Sequence, residues 1–521
     1  MPEFRDKKYD IDKLHLHTPN LMGQPMNLMK LMVDVVVEEN LYRPFINGSI
    51  TIMDKGGYFE IFPILGEEYL EIFITSPNDE RPLSGFFRVY EASPLVRGEG
   101  NPGATFTLYF ASVEYFISKR TKIYDSYLGA HKASLSYIVK QVYDNYIKNT
   151  VRGEGHEDYK KDIIVEDTLR QYQIMFPNRT PFQAINMCAK RALSKSRIYK
   201  GATFVFYEEL DAFHFESIEG LVDKVPKLIL IYSPNLNADA DSKATLGDSQ
   251  LQLQDDDLQT QKVESFEVVS NFDVLDNIQK GMYSSRLVTY DFERMKYREY
   301  DYEYVPQKAD KDVLIQKDGQ QVATTVKAGK EGDVEVLYDR SKAVNMSGKL
   351  CTHNNDNLNH PLQKIHLHST TLNHDFIFDT NQTQAGGFKE KGIIPSSVEE
   401  LLLQRFSQFQ QLSNIKVRVN LAKSNMAIKV GDVVEFQMPS EIASEVIGST
   451  PPEVHFYYGG KYIVTKTVRN ISGPGGMQTM LELSKNSLDN PMPDFDPAVL
   501  AKNQIIGDVD ENDVANNTET I

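Results

Sequence analysis

From Lys30 to Ser118, apolar residues recur at every second position in short runs. Leu31–Val37, Ser49–Met53, Glu68–Ile74, Gly85–Ala92 and Thr105–Ala111 each alternate, with Gly, Pro, Asn and Asp clusters between them. A period of two turns one face of each run toward a core, and short strands at this spacing predict an antiparallel barrel or sandwich. Within it, Asn47–Ile74 reads as a hairpin, with Asp54-Lys55-Gly56-Gly57 at its turn.

The period changes after residue 118. In Ala133–Asn149 (ASLSYIVKQVYDNYIKN), Leu135, Ile138, Val142 and Tyr146 fall on one helical stripe. A second helix starts at TPFQAINMCAKRAL, where Thr180 can cap, Pro181 suits the first turn and Gln183 can reach back to the cap. Gly201–Glu219 then reads as a hairpin, so 119–234 is a mixed α+β domain. Residues 235–262 are a polar, acidic linker unable to build a core. Strand patterns return over 263–300 and 413–488. Between them lies an inserted domain, 301–412, rich in Asn, Lys and His. It ends in a helix with Ser396 and Glu399 at capping-box spacing and an expected apolar stripe of Val398, Leu401, Leu402, Phe406, Phe409 and Leu412. Residues 1–29 read as a polar N-terminal arm and 489–521 as a flexible acidic tail.

Two distant places share a pattern. GEEYLEIFITSP (66–77), GFFRVYEAS (85–93) and ATFTLYFAS (104–112) parallel GDVVEFQMPS (431–440), GKYIVTKTV (460–468) and MQTMLELSK (477–485). Phe87 to Leu108 is 108 − 87 = 21 residues, and Tyr462 to Leu481 is 481 − 462 = 19, so the spacing is similar too. The chain therefore reads as mainly β with α+β parts: two similar antiparallel β-barrel domains (30–118; 263–300 with 413–488), a mixed α+β domain and an inserted domain.

Composition narrows the function. With 56 Lys and Arg against 73 Asp and Glu, the formal charge is −17, which excludes a chain that grips nucleic-acid phosphates. Acidity is also common among soluble proteins, so charge alone identifies nothing more. Two cysteines, Cys188 and Cys351, imply no disulfide framework and fit a reducing compartment. The N-terminus lacks the apolar stretch of a signal peptide, and MVDVVV is too short to span a bilayer. No membrane insertion is expected.

Candidate chemistry is sparse. Cys351, His353, His360, His366, His368 and His374 are the densest metal-capable group, and His366 and His368 would share a strand face. Their spacing matches no zinc pattern, so no metal and no cofactor are expected. His15 and His17 lie in the expected arm. Cys188 reads as a small buried hydrophobe within its helix. The DADSK and QDDDL carboxylates lack the Gly and terminal Glu of a calcium loop. No nucleophile elbow, phosphate-binding loop or metalloprotease motif stands in context, and no catalytic residues are expected.

Leu41–Ile74 (LYRPFINGSITIMDKGGYFEIFPILGEEYLEIFI) resembles the first domain of baseplate hub proteins of T-even-like contractile-tailed bacteriophages. Phe176–Ser194, Val274–Tyr297 and Gly459–Asp489 resemble the same family, in the same order. The structural signature expected is Gly48, Asp54, Gly66, Glu68, Gly281, Tyr283, Gly460 and Tyr462 within these segments, with Gly85, Gly431 and Asp432 from the internal repeat. The resemblance leaves aside the linker, the His-rich insertion and the tail.

That resemblance implies a homotrimer whose two barrels per subunit make a pseudo-sixfold ring between the hexameric tail tube and the trimeric central spike. Tape measure and baseplate wedge proteins would be further neighbours. DNA would pass through the lumen, and the place would be the virion tail baseplate, assembled in the host cytoplasm. Related hub-spike proteins of secretion systems fuse a β-helix to the hub; none follows residue 490, so a separate spike is expected. The readings of another class are a tail-associated cell-wall hydrolase, for which the His-rich insertion would be the place to look, and a carbohydrate-binding β protein, which the absence of Trp disfavours.

Overall fold

The computed structural model describes most of residues 9–232, 261–303 and 398–485, and four short strands between 326 and 394. The first strands are β1 (Asp10–His17), β2 (Met26–Asn27), β3 (Met32–Asn40), β4 (Asn47–Asp54), β5 (Tyr69–Ser76), β6 (Asp79–Ala92), β7 (Val96–Arg97) and β8 (Ala104–Ser112). The sheet runs β2-β1-β5-β6-β8-β4-β3, with β7 against β8. It curls, because β1 at one end and β3 at the other bury Leu14, Leu16, Val35 and Val37 in one core with Ile50, Ile72, Phe87 and Leu108.

Two expectations change here. The supposed arm contains β1, antiparallel to β5 with Leu14 opposite Ile72. Its polar residues alternate with Leu14 and Leu16, which are buried, so a mostly polar segment still presents one apolar face. The expected hairpin does not form either. β4 lies between β3 and β8, and β5 between β1 and β6. The Asp54 carboxylate accepts the amides of Gly56 (3.0 Å) and Phe59 (3.1 Å), drawing the chain into a helical turn at Tyr58–Ile61 instead.

The middle region holds β9 (Ser126–Tyr127), β10 (Ala133–Ser134), β11 (Asp162–Val165), β12 (Gln171–Met175), β13 (Phe204–Glu208), β14 (Ala212–Ser217) and β15 (Leu228–Tyr232). The helix Leu135–Tyr143 is capped by Ser134 and continues as a π turn to Lys148; it packs with the helix Pro181–Ala189 on the Phe204, Phe206, Phe213 and Phe215 rings of the β13–β14 hairpin. Thr180 and Gln183 form the reciprocal cap: the Gln183 amide donates to Thr180 Oγ1 (3.3 Å) and the Thr180 amide to Gln183 Oε1 (3.1 Å). Cys188 is buried in this core.

The rest comprises β16 (Lys262–Ser270), β17 (Ser284–Asp291), β18 (Lys296–Glu303), β19 (Val326–Lys327), β20 (Lys364–Thr370), β21 (Phe376–Phe378), β22 (Ile393–Ile394), β23 (Ile415–Leu421), β24 (Val433–Gln437), β25 (Gly460–Ser472) and β26 (Gly476–Lys485). β25-β24-β15-β16-β23-β26 closes on itself through β26–β25, giving a six-stranded barrel filled by Leu230, Val419, Val434, Phe436, Tyr462 and Leu481.

The expected boundaries shift around this barrel. β15, expected in the α+β domain, enters it parallel to β24 and β16. Of 263–300, only β16 joins it, because β17 and β18 pair with one another and with β20 and β19 in a separate sheet. β21, inside the expected insertion, extends the middle region by pairing with β12. The helix Val398–Leu412 docks on that region too, and it uses only part of the expected stripe: Leu412 is buried, and Leu402 and Phe409 pack at the edge of the core. Leu403 and Leu412 are buried beside Ser407, Gln408 and Gln411, while Phe406 is exposed. The buried polar groups are bonded: Ser407 Oγ donates to the Met282 carbonyl (2.9 Å) and Gln411 to Ser407 (3.1 Å). Ser396, the linker 235–260 and the tail lie outside the described residues.

Candidate functional site: the joint between two sheets

β25 belongs to two neighbourhoods. Its first residues, Gly460–Ile463, pair with Phe436–Val433 of β24 inside the barrel. After a bulge at Thr465, residues Lys466–Ser472 pair with Asn40–Asp34 of β3, while β26 follows the other edge from Ile463 to Ser472. One long strand thus joins the curled sheet to the barrel. A bulge increases local twist and re-aims the strand, which is what this change of partner requires.

The joint is filled from two sides. The loop Asn425–Val430 sends Met426 into the core of the curled sheet and Ile428 into that of the barrel. The tip of the β13–β14 hairpin brings Glu208, Glu209 and Leu210. Arg469 on β25 donates one guanidinium nitrogen to Glu39 on β3 and another to the Ile428 carbonyl (2.8 Å). The other Glu39 oxygen accepts the Leu210 amide (2.9 Å). Glu208 accepts the Ile46 amide (3.0 Å), the Ser112 hydroxyl and the Lys161 ammonium. Burial pushes the Glu208 carboxyl up to about 7, against the pull of Lys161.

A second cluster lies at the mouth of the joint. His214 faces Glu209 (3.4 Å) and Glu216 (3.1 Å), and Lys429 of the loop faces Glu209 (3.2 Å) and Asp211 (2.8 Å). Arg81 on β6 completes it with Asp211 (2.8 Å). Burial alone would lower the His214 pKa, but hydrogen bonds and charge from Glu209 and Glu216 raise it to about 9. These ions tie the β13–β14 hairpin to the 425–430 loop and to β6.

The strand ladders on either side of the joint repeat in register. Ile72 opposite Gly85 corresponds to Phe436 opposite Gly460, and Leu70 opposite Phe87 to Val434 opposite Tyr462. The β6–β8 ladder slips between Val89 and Glu91, and the β25–β26 ladder between Val464 and Lys466. Ala92 then faces Leu108 as Thr467 faces Leu481. Further round, Val35 faces Ile50 as Phe266 faces Val419, with slips between Met32 and Asp34 and between Val263 and Ser265. Five strands, β3-β4-β8-β6-β5 and β16-β23-β26-β25-β24, therefore share pairing order and two bulges.

Most of the signature residues sit in these ladders and their turns. Gly66 and Gly431 both have φ +86, the left-handed region that favours glycine, just before β5 and β24. Glu68, buried, accepts the Leu65 (2.6 Å) and Gly66 (2.7 Å) amides, and Asp432 accepts the Lys429 amide (2.9 Å). Their carbonyls take matching amides, Val89 to Glu68 and Val464 to Asp432. Gly85 leaves room for the Phe87 ring, and Gly48 for the Val36 carbonyl and Phe110 ring. Tyr462 is buried and donates to the Tyr458 carbonyl (2.7 Å). Gly281 ends the helix Val274–Lys280 at φ +74, apart from the joint. Tyr283 lies outside the described residues.

His366 and His368 are on β20, paired with Leu287 and Thr289 of β17, in a sheet separate from that of the barrel and joint. Among the described residues no group of three metal-ligating side chains is arranged to hold a metal. His17 and His15 do meet Glu71, at 3.0 and 3.5 Å, but Lys13 and Tyr159 occupy the same carboxylate at 2.8 Å each. Burial raises the Glu71 carboxyl, and these donors outweigh it and hold it down at about 2, so it acts as an anionic anchor for β1. No described helix is long and apolar enough to cross a membrane.

Sequence reasoning missed Glu39, Glu208, Glu209, His214 and Arg469. The one signal for them was charge at an inward position, as with Arg469 in YIVTKTVRNIS, where alternation calls for an apolar residue.

No family model matches the chain, and no curated protein matches it. Solved structures do resemble it. A tail protein from Neisseria meningitidis MC58 aligns at 9% identity with TM-score 0.46, over 92% of this chain and 97% of that one. A 43 kDa tail protein of prophage MuSo2 from Shewanella oneidensis aligns at 9% identity with TM-score 0.43, over 92% and 99%. An E. coli component of the type VI secretion system aligns at 7% identity with TM-score 0.37, over 93% and 79%. The structural neighbours are thus phage tail and type VI secretion proteins at low identity.

Proposed function

We propose that this chain is a structural hub subunit of a contractile, phage-type tail. Three copies form a ring of six near-equivalent β-barrels, which takes the sixfold tail tube on one face and a threefold central spike on the other. The observation that carries this reading is the five-strand register repeat. A unit doubled within one chain lets a threefold assembly offer six similar edges, which solves the mismatch between sixfold and threefold partners. The sequence resemblance to baseplate hub proteins covers segments in both repeats and supports the same reading.

Within that ring, β1 in one repeat and β15 in the other differ in direction, so the two units are alike but not identical. That difference suits a ring with one sixfold and one threefold face. The net charge of −17 fits a lumen that repels DNA and lets it pass without binding. The setting is the tail baseplate of a virion, with tape measure and wedge proteins as outer neighbours. Light scattering of the purified chain, alone and with tube and spike proteins, tests the proposal: a trimer with a ring visible by electron microscopy is expected. A chain that stays monomeric and ringless with both partners present refutes it.

A further inference from the structure

The joint is built once in the chain, but the register repeat supplies its parts twice. β3 carries β25 on its outer edge. Its equivalent, β16, meets β15 only at Lys262 and Val263, and among the described residues no strand lies beside Glu264–Val269 on that side. The strand that would fill this edge also has an equivalent. Thr465 and Thr467 of β25 are 1% and 0% exposed beneath β3, whereas their counterparts at the end of β6, Tyr90 (49%) and Ala92, are exposed.

The loops repeat the contrast. Met426, Ile428 and Val430 precede β24 and are each 1% exposed because they fill the joint. The loop preceding β5 offers Tyr58, Ile61 and Leu65, which are 46%, 67% and 63% exposed. A cluster of large apolar side chains on one surface loop marks an interaction site rather than scattered exposure.

We propose that a second copy of this chain completes the missing joint. The end of β6 and the two residues after it (Tyr90–Pro94) pair antiparallel with the outer edge of β16 in the next copy, as β25 pairs with β3 within the chain. The 57–65 loop docks over that seam as the 425–430 loop docks over the internal one. Donor strand and acceptor edge lie on different repeats, so the contact is heterologous and propagates until a ring closes. The inference rests on the hub reading and specifies its subunit contact. The seam is weaker than the internal joint, because Pro94 stands where Arg469 does. It has no amide proton for the ladder and no charge for a buried pair, which also guards the edge against unrelated strands.

Register makes the seam testable. Within the chain, Leu41 donates its amide to the Thr465 carbonyl (2.9 Å), so Thr465 and Thr467 turn their backbone groups toward β3. Val468 opposite Glu38 is then a non-hydrogen-bonded pair, the closer-spaced kind. The β16–β23 ladder slips once more between Val268 and Ser270, so that Ser270 faces Lys416 as Glu38 faces Asn47, and the counterparts across the seam are Ser93 and Ser270. In the full chain, Ser93→Cys with Ser270→Cys should give, on mild oxidation, covalent oligomers up to a closed trimer that dithiothreitol dissolves. Neither single variant should do so, nor should Ser93→Cys with Glu267→Cys, which is out of register. Ile61→Asp with Leu65→Asp, both on the surface, should keep the melting temperature and lose the oligomer. A chain of trimeric mass whose Ser93→Cys/Ser270→Cys form stays uncross-linked overturns the seam and leaves the hub reading standing. A chain that remains monomeric with tube and spike proteins present overturns both.

Discussion

Arg469 and Glu39, 430 residues apart in sequence, form an ion pair in which neither side chain is exposed. The pair ties β25 of the barrel to β3 of the curled sheet, and its remaining bonds go to backbone groups of the 425–430 loop and the β13–β14 hairpin. Removing one partner strands a buried charge, at a cost of about 3–5 kcal/mol, whereas replacing both with apolar groups costs far less. Arg469→Met should therefore lose about that much stability in urea unfolding, and Glu39→Leu/Arg469→Met should recover most of it. Equal losses in the single and double variants would mean that the pair is not what closes the joint.

Gly48 lies in β4 between β3 and β8, and a Cβ there would come within 2.2 Å of the Val36 carbonyl oxygen and 2.5 Å of the Phe110 ring. The first of these is backbone in the adjacent strand and cannot move without opening the ladder. Gly48→Ala should cost at least the ~1–3 kcal/mol of an overpacked core. Gly57→Ala is the contrast: its φ is +68 but nothing lies within 4 Å of the added carbon. It should cost about 1 kcal/mol, from backbone conformation alone. Thermal melts of the two variants check the order, which reverses if steric crowding at Gly48 is relieved by a simple shift.

Thr180 and Gln183 satisfy one another's backbone amides at the start of the helix Pro181–Ala189. The helix carries Ala184, Ile185 and Cys188 into the core of the middle region. Thr180→Ala should cost about 1 kcal/mol, the usual loss of such a cap, and Thr180→Ser should cost much less. Chemical denaturation of the two variants separates capping from packing: if the Ser form loses as much as the Ala form, the Thr180 methyl group matters more than its oxygen.

These cases show which parts of the molecule a sequence discloses. The Thr180 cap was legible because its whole mechanism fits within four residues. The alternating strands were legible for the same local reason, and so was the likeness of 66–112 to 431–485. Strand partners were not. The run ending at Asp54 and the run starting at Tyr69 alternate as a hairpin would, yet each pairs elsewhere, because alternation specifies a face and not a neighbour. The joint was illegible for a further reason. Glu39, Glu208 and Arg469 look like misplaced charges until residues 47 to 430 positions away supply their partners.

His214 offers a test of the second cluster by pH. It stacks on Tyr207, with ring centroids 5.0 Å apart, and lies between Glu209 and Glu216, which also face Lys429 and Lys224. Its pKa is raised to about 9 in the folded chain, against an ordinary value of 6.5. The charged form is therefore the one that folding favours. The stabilisation is fully present below pH 6.5 and is lost as pH rises through 9. On the linkage relation this is worth on the order of 3 kcal/mol across the window. The melting temperature should fall between pH 7 and 9.5. In His214→Gln, which keeps the bulk and loses the proton, that fall should be markedly shallower, with the variant already less stable at pH 6.5. Parallel melting curves for the two proteins across this range would show that His214 titrates alike in the folded and unfolded chains.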